Sequence, residues 1–206
     1  MTLIDIGNTN VDIFCDNKVT KISVGDFAPD TYTDDIVWYA SVNRRMDELL
    51  NCYGHWMNIE QCIDRTLYYP TMGIDRIMVC EAIEHGIIVD AGSAITVDVM
   101  NSGVYQGGMI SPGLYAMQRS YRSISPVLDV SFNFEVDLDK MAKNTQDAVT
   151  KGYLSPLIHY IKSFGMPIYM TGGDALMFKH FLPEAHINEM LLFEGMKKLI
   201  QKGFKC

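Results

Sequence analysis

Short apolar runs, broken by glycine, asparagine and aspartate, open the chain. Thr2–Ile6, Val11–Cys15 and Val19–Val24 each read as a strand, with Gly-Asn and Asp-Asn turn signals between them. Ile36–Val42 is a further apolar run that predicts a strand, and Met46–Tyr53 predicts a short helix. Arg76–His85 has Ile77, Cys80, Glu81 and Glu84 at helical spacing, with Gly86 as its stop. The pattern then restarts. Gly86–Asp90 is an apolar strand running into Ala91-Gly92, Ile95–Met100 is a second strand, and Val104–Ile110, after an Asn-Ser-Gly turn, is a third. Gly113–Ser123 predicts a helix opened by Ser111-Pro112. Asp147–Phe164 carries a long helical pattern in which Pro156 predicts a break or kink. Pro167–Met170 predicts a short strand, and Leu176–Phe181 and Asn188–Lys202 predict helices.

Two stretches repeat one design. Asp5-Ile6-Gly7-Asn8-Thr9-Asn10-Val11-Asp12 and Asp90-Ala91-Gly92-Ser93-Ala94-Ile95-Thr96-Val97-Asp98 both run strand, Asp-x-Gly turn, strand, with another aspartate inside the second strand. Each leads through a further turn to a third strand. The repeat predicts an α/β protein of two domains related by duplication, residues 1–85 and 86–206. No linker or low-complexity segment separates them.

Composition narrows the class of protein. The 206 residues are 48% hydrophobic and 20% charged, an ordinary globular balance. The net charge is −8 and no Lys/Arg block occurs, which argues against nucleic acid as a partner. The five cysteines form no CxxC or Cys/His ligand spacing, and read as reduced cytosolic thiols. No signal-peptide pattern follows Met1, and no apolar run approaches the ~18 residues of a membrane span. The 14 methionines are scattered and read as core filling.

The chemistry lies in the turns. In Asp-x-Gly-Asn-Thr the glycine lets the backbone approach a ligand with no Cβ in the way. Small polar side chains and exposed N–H groups then suit phosphate oxygens, and the aspartate at the strand mouth suits a hydrated cation. One such turn alone reads as a plain hairpin, whereas a pair suits the phosphates of a nucleotide. A third loop, Thr171-Gly172-Gly173-Asp174, joins a strand to a helix; it reads equally as an adenine or ribose site and as a turn with an aspartate cap. GxxxxGK[ST] and the HRD/DFG set are both absent, and phosphoryl transfer by positioning and electrostatics needs neither. In Tyr68-Tyr69-Pro70-Thr71-Met72-Gly73-Ile74-Asp75-Arg76, the arginine can bind an acidic substrate bidentately and the aspartate can take a proton from an attacking hydroxyl. An N-cap aspartate beside a surface arginine is the alternative for that spacing.

DIGNTN at the N-terminus, GIDR, DAGSAITVD, GGMISPG, NTQDAVTKG and TGGDA, in this order, resemble the type III pantothenate kinases of bacteria, and cover nearly the whole chain. That family belongs to the acetate and sugar kinase, Hsc70 and actin superfamily. The resemblance implies two ribonuclease-H-like (actin-like ATPase) domains with a cleft between them, and phosphorylation of pantothenate by ATP at its 4′-hydroxyl, the first step of coenzyme A synthesis. It implies that Asp5, Ile6, Gly7, Asn8, Thr9, Asn10, Val11 and Asp12 form the first phosphate loop, with Asp5 near Mg²⁺. Ser93, where the family usually has threonine, would touch ATP. Tyr68 or its neighbour Tyr69, Gly73, Ile74, Asp75 and Arg76 would form the pantothenate site, with Asp75 as general base and Arg76 on the carboxylate. Asp90 would hold a monovalent cation, K⁺ or NH₄⁺. Thr145 would reach the neighbouring subunit's pantothenate, which implies a homodimer, and the location would be cytoplasmic. Rival readings are another small-molecule kinase of the superfamily, a non-catalytic regulator retaining the fold, and a nucleotide-gated module like the Hsp70 ATPase half.

Overall fold

Alternation builds the first sheet. In β1 (Thr2–Ile6) and β2 (Asn10–Cys15), Ile4, Ile6, Val11 and Ile13 face one side and Leu3 and Phe14 the other, and both sides are buried. β3 (Lys18–Ser23) follows across a two-residue turn in which Asp16 and Asn17 both have positive φ, the conformation a tight hairpin needs. β4 (Val37–Ser41) and β5 (Trp56–Asn58) then add in parallel, giving the order β3-β2-β1-β4-β5. The computed structural model describes residues 1–33 and 36–203; Cys206, read above as a reduced thiol, lies outside them. Among the described residues, Cys15, Cys52, Cys62 and Cys80 form no disulfide.

The second sheet repeats the first. β6 (Gly86–Ala91), β7 (Ala94–Asn101) and β8 (Val104–Pro112) form an antiparallel meander, and β9 (Ile168–Thr171) and β10 (His186–Ile187) add in parallel beyond β6. Read from its β8 edge, the order is that of the first sheet. This duplicated order is the α/β duplication that the repeat predicts, and it accords with the ribonuclease-H-like architecture that the resemblance implies. The strand register refines the repeat itself. Asp5 lies opposite Asp12, but the residue opposite Asp90 is Thr96. Asp98 stands two positions further on, fully buried, where the Tyr105 hydroxyl donates to it at 3.0 Å.

Three helical expectations shift. α1 (Arg44–Leu50) starts earlier than predicted because Asn43 caps it, accepting from the Met46 N–H. α2 spans Ile74–Ala82 and α3 spans Leu114–Ile124. α4 (Thr145–Ser163) runs unbroken through Pro156. Proline removes one helical hydrogen bond. The buried stripe of Val149, Tyr153, Leu154, Leu157, Ile158 and Ile161 holds the helix together despite that loss. The predicted helix at Leu176–Phe181 is only a 3₁₀ turn, Ala175–Phe178.

The chain divides into two compact units, Met1–Ile83 with Met190–Cys206, and Glu84–Glu189. The last helix, α5 (Leu191–Gly203), was counted with the second domain in the sequence reading, yet it packs in the first unit. Its Phe193, Met196, Leu199 and Ile200 join Leu3, Phe14, Ile74 and Met78 in one core. The helices touch backbone to backbone: a Cβ added at Gly195 would stand 1.7 Å from the Met78 carbonyl oxygen. Lys202 and Lys198 tie the far end of α5 to Glu81 and to the Ala82 carbonyl. No helix among the described residues is long and apolar enough to cross a membrane.

Gly195→Ala should therefore force α5 off α2 and lower unfolding stability by roughly 1–3 kcal/mol or more, read by denaturant titration. Gly103→Ala, where no atom lies within 4 Å of the added Cβ, costs only the strain of its positive φ.

Candidate active site

In the first unit the strand β1 delivers Asp5 to the mouth of the sheet. Gly7 begins the turn, its N–H donating to the Asn10 carbonyl at 2.9 Å, and the Asn8, Thr9 and Asn10 side chains are exposed. Ile6 and Val11 point into the core, so only their backbone faces the turn. Directly opposed strand residues share a face. Asp5, Asp12 and Lys21 therefore form a row across β1, β2 and β3, and the Lys21 ammonium lies 3.3 Å from Asp12. Two adjacent carboxylates repel. Lys21 relieves Asp12.

The same face of the sheet, carrying Leu3 and Phe14, receives α2 through Ile74 and Met78. The start of α2 and the Asp5–Asp12 pair thus belong to one side of the first sheet. Gly73 caps the helix, and a Cβ there would meet the Asp75 carboxylate at 2.4 Å, so glycine is what lets Asp75 fold back over the helix start. One Asp75 oxygen accepts the Arg76 N–H at 2.9 Å. Arg76 is only 5% exposed, which overturns the reading of a surface arginine. A buried guanidinium must be paired or hydrogen-bonded. Its Nη1 donates to the Tyr69 hydroxyl, and the group lies 5.7 Å from the Tyr69 ring centroid. Tyr68 turns elsewhere: it is buried and donates to Glu81 at 2.9 Å. Of the two tyrosines that the sequence left as alternatives, Tyr69 meets Arg76 through both its hydroxyl and its ring.

In the second unit three loops gather around the end of β6. The Gly92-Ser93-Ala94 turn closes through Gly92 N–H to the Ala94 carbonyl, leaving Ser93 exposed. Gly113, at the head of α3, packs so tightly on this turn that a Cβ would lie 2.1 Å from the Gly92 carbonyl oxygen. Tyr153 of α4 donates to the Pro112 carbonyl, and burial pushes its pKa up, which keeps the hydroxyl a donor. The third loop presses on Asp90 itself. Gly172 has φ +90°, and a Cβ there would come within 2.4 Å of both an Asp90 carboxylate oxygen and the Ala91 carbonyl. The Asp174 N–H donates to that same carbonyl at 2.9 Å. The motifs DAGS, SPG and TGGD, far apart in sequence, are thus one structure.

Thr145 stands apart from these loops. It is the first residue of α4, exposed, in a groove of about 600 Å³ shared with Tyr121 and Leu128. Sequence reasoning missed Lys21 and Gly113; only strand register and chain approach reveal them.

Comparison with known proteins identifies the family. The family model described as type III pantothenate kinase matches residues 37–165. A type III pantothenate kinase of Sulfurimonas denitrificans is 46% identical over 206 residues, covering 100% of each chain. One from Helicobacter hepaticus is 38% identical, covering 98% of this chain and 99% of that protein. A crystal structure from Campylobacter jejuni, whose description assigns it to the Baf family of transcriptional activators by conservation, superposes with TM-score 0.87 at 33% identity, covering 100% of both chains. The chain belongs to the type III pantothenate kinase family.

Proposed function

We propose that this protein transfers the γ-phosphoryl group of ATP to the 4′-hydroxyl of pantothenate, the first step of coenzyme A biosynthesis. The observation that carries this reading is the buried Arg76, held by Tyr69 beside Asp75, on the same side of the sheet as Asp5. A guanidinium fixed in this way suits a carboxylate substrate, which it can grip with two parallel hydrogen bonds. Asp75 then accepts the proton of the hydroxyl as its oxygen attacks the γ-phosphorus and the bond to the β-phosphate oxygen breaks. Gly73 and Ile74 set the helix start that aims both side chains.

The turns supply the phosphate contacts. Residues Asp5 to Asp12 offer exposed amides and small polar groups, and Ser93 keeps the hydroxyl that a threonine would bring. A Mg²⁺ ion fits beside Asp5. Mg²⁺ is commonly held by one or two carboxylates plus waters and substrate phosphates, and no cluster of three acidic, His or Cys ligands occurs among the described residues. It would neutralise charge on the phosphates there. Asp90, with Gly172 leaving room beside its carboxylate, fits a monovalent cation, K⁺ or NH₄⁺.

A homodimer completes the reading. α3 buries only Leu114, while Tyr115, Ile124 and Val127 are exposed beside the groove that holds Thr145. A second copy covering this face would bring Thr145 to the neighbouring pantothenate. The cytoplasm, where ATP and pantothenate meet, is the location that fits.

The description of the Campylobacter jejuni structure favours a second reading, a regulator that keeps the fold. Turnover separates the two. Purified protein should release ADP only when pantothenate is present, and faster in K⁺ than in Na⁺ buffer; ATP binding with no pantothenate-dependent release would favour the regulator.

Asp75→Asn should lower kcat by about 10²–10⁴-fold while ATP still binds, measured by steady-state kinetics and nucleotide titration. Full turnover in that variant would remove Asp75 from the role. The tyrosines should divide. Tyr69→Phe should raise the KM for pantothenate by about 3–10-fold, from loss of one hydrogen bond that orients Arg76. Tyr68→Phe should leave that KM unchanged and lower thermal stability.

A further inference from the structure

The register around Asp90 places more than one oxygen on the same face. Thr171 of β9 lies opposite Asp90 on one side, and Thr96 of β7 lies opposite it on the other. Directly opposed residues present their side chains together. Thr171, Asp90 and Thr96 therefore form a row across three strands, at the end of β6 where the glycine loops gather. Thr171 is buried.

Thr96 is the unusual member. Its Oγ1 is buried and has no hydrogen-bond partner among the described residues, a property it shares there only with the indole nitrogen of Trp56. A buried hydroxyl without a partner is costly, and such groups in native proteins call for an explanation. The neighbour across the other edge of β7 cannot supply one, since Thr96 faces the apolar Ile110 on β8. A hydroxyl oxygen carries two acceptor lone pairs beside its single donor hydrogen. Next to a carboxylate, those lone pairs face a place that favours positive charge and excludes an anion. Hard oxygen donors of this kind, one charged and one neutral, suit an alkali cation, for which protein oxygens replace the hydration shell. A thiol, an imidazole or further carboxylates would have suggested a transition metal or Ca²⁺ instead.

We infer that Thr96 Oγ1 is a ligand of the monovalent cation at Asp90, and that its buried hydroxyl is left without a protein partner because the ion is that partner. The inference rests on the assignment of Asp90 as the cation site made above. It gives the cation two side-chain ligands from adjacent strands, so that its binding clamps β6 to β7 at the base of the Ser93 turn.

The test is thermal unfolding of the full chain, without ATP or pantothenate, titrated with KCl against choline chloride at constant ionic strength. Wild type should gain melting temperature with K⁺ and saturate, as expected for an ion that binds only the folded state. Thr96→Val keeps the shape and removes the oxygen. In choline it should melt at or above the wild-type temperature, because the orphan hydroxyl is gone. Its K⁺ half-saturation should rise by about tenfold or more, the scale on which metal affinity responds to loss of a supporting group. Thr96→Ser should respond to K⁺ as wild type does. If Thr96→Val keeps a half-saturation within about twofold of wild type while Asp90→Asn loses the response, Thr96 is no ligand and the Asp90 assignment stands. If wild type itself shows no K⁺-specific shift, the cation site fails and the role of Thr96 with it.

Discussion

Everything chemical in this molecule hangs on a strand that is hydrogen-bonded on both edges and ends in a carboxylate. β1 is held between β2 and β4, and β6 between β7 and β9. An antiparallel neighbour on one edge supplies a tight turn at the strand's end. A parallel neighbour on the other edge ends at the same level, so its outgoing loop rises beside that turn. The carboxylate is thereby ringed by backbone rather than by long side chains. Such a ring works only if the backbones can come close. Gly172 against Ala91 and Gly113 against Gly92 mark where they do, at separations that no Cβ would allow. The same order built twice gives two such mouths.

Arg76 illustrates how stability and the proposed function part company. A buried guanidinium is a poor way to stabilise a fold, since its desolvation offsets most of what pairing returns. Arg76 is the third residue of α2, between Ile74 and Ile77, which are core. Helix phase alone would let this position be apolar. Its burial beside the Tyr69 ring and hydroxyl fixes the orientation of a charge at the start of a helix, where the macrodipole adds to its pull on an anion. Lys21 does the opposite service, softening a second carboxylate beside the one that would meet the metal.

Much of this was legible in the sequence, and for identifiable reasons. The two meanders announced themselves because each strand is five to nine residues long and bounded by glycine or asparagine. β5 and β10 escaped notice because three and two residues carry no periodicity. The repeat was right in outline, and Asp98 does lie inside β7; only the pairing shows that Thr96, two positions earlier, is the residue opposite Asp90 as Asp12 is opposite Asp5. Pro156 argued for a break or kink, and the helix runs through it without a break, held by the buried stripe around it. The burial of Arg76 could not be read at all, because the spacing of a helix cap and a surface arginine is the same as that of a working site. The boundary near residue 85 was visible, but the return of α5 was not. An amphipathic helix says that it needs a partner without saying which sheet provides it.

That return has a consequence for how the protein is made. α5 leaves the ribosome after the whole of the second unit, whereas the apolar face it covers, with Phe14, Ile74 and Met78, is translated long before. A nascent chain carries that face uncovered through the synthesis of more than half its length. The first unit, although first in order, is the last to be finished, and the second, continuous from Glu84 to Glu189, is free to fold while the other waits.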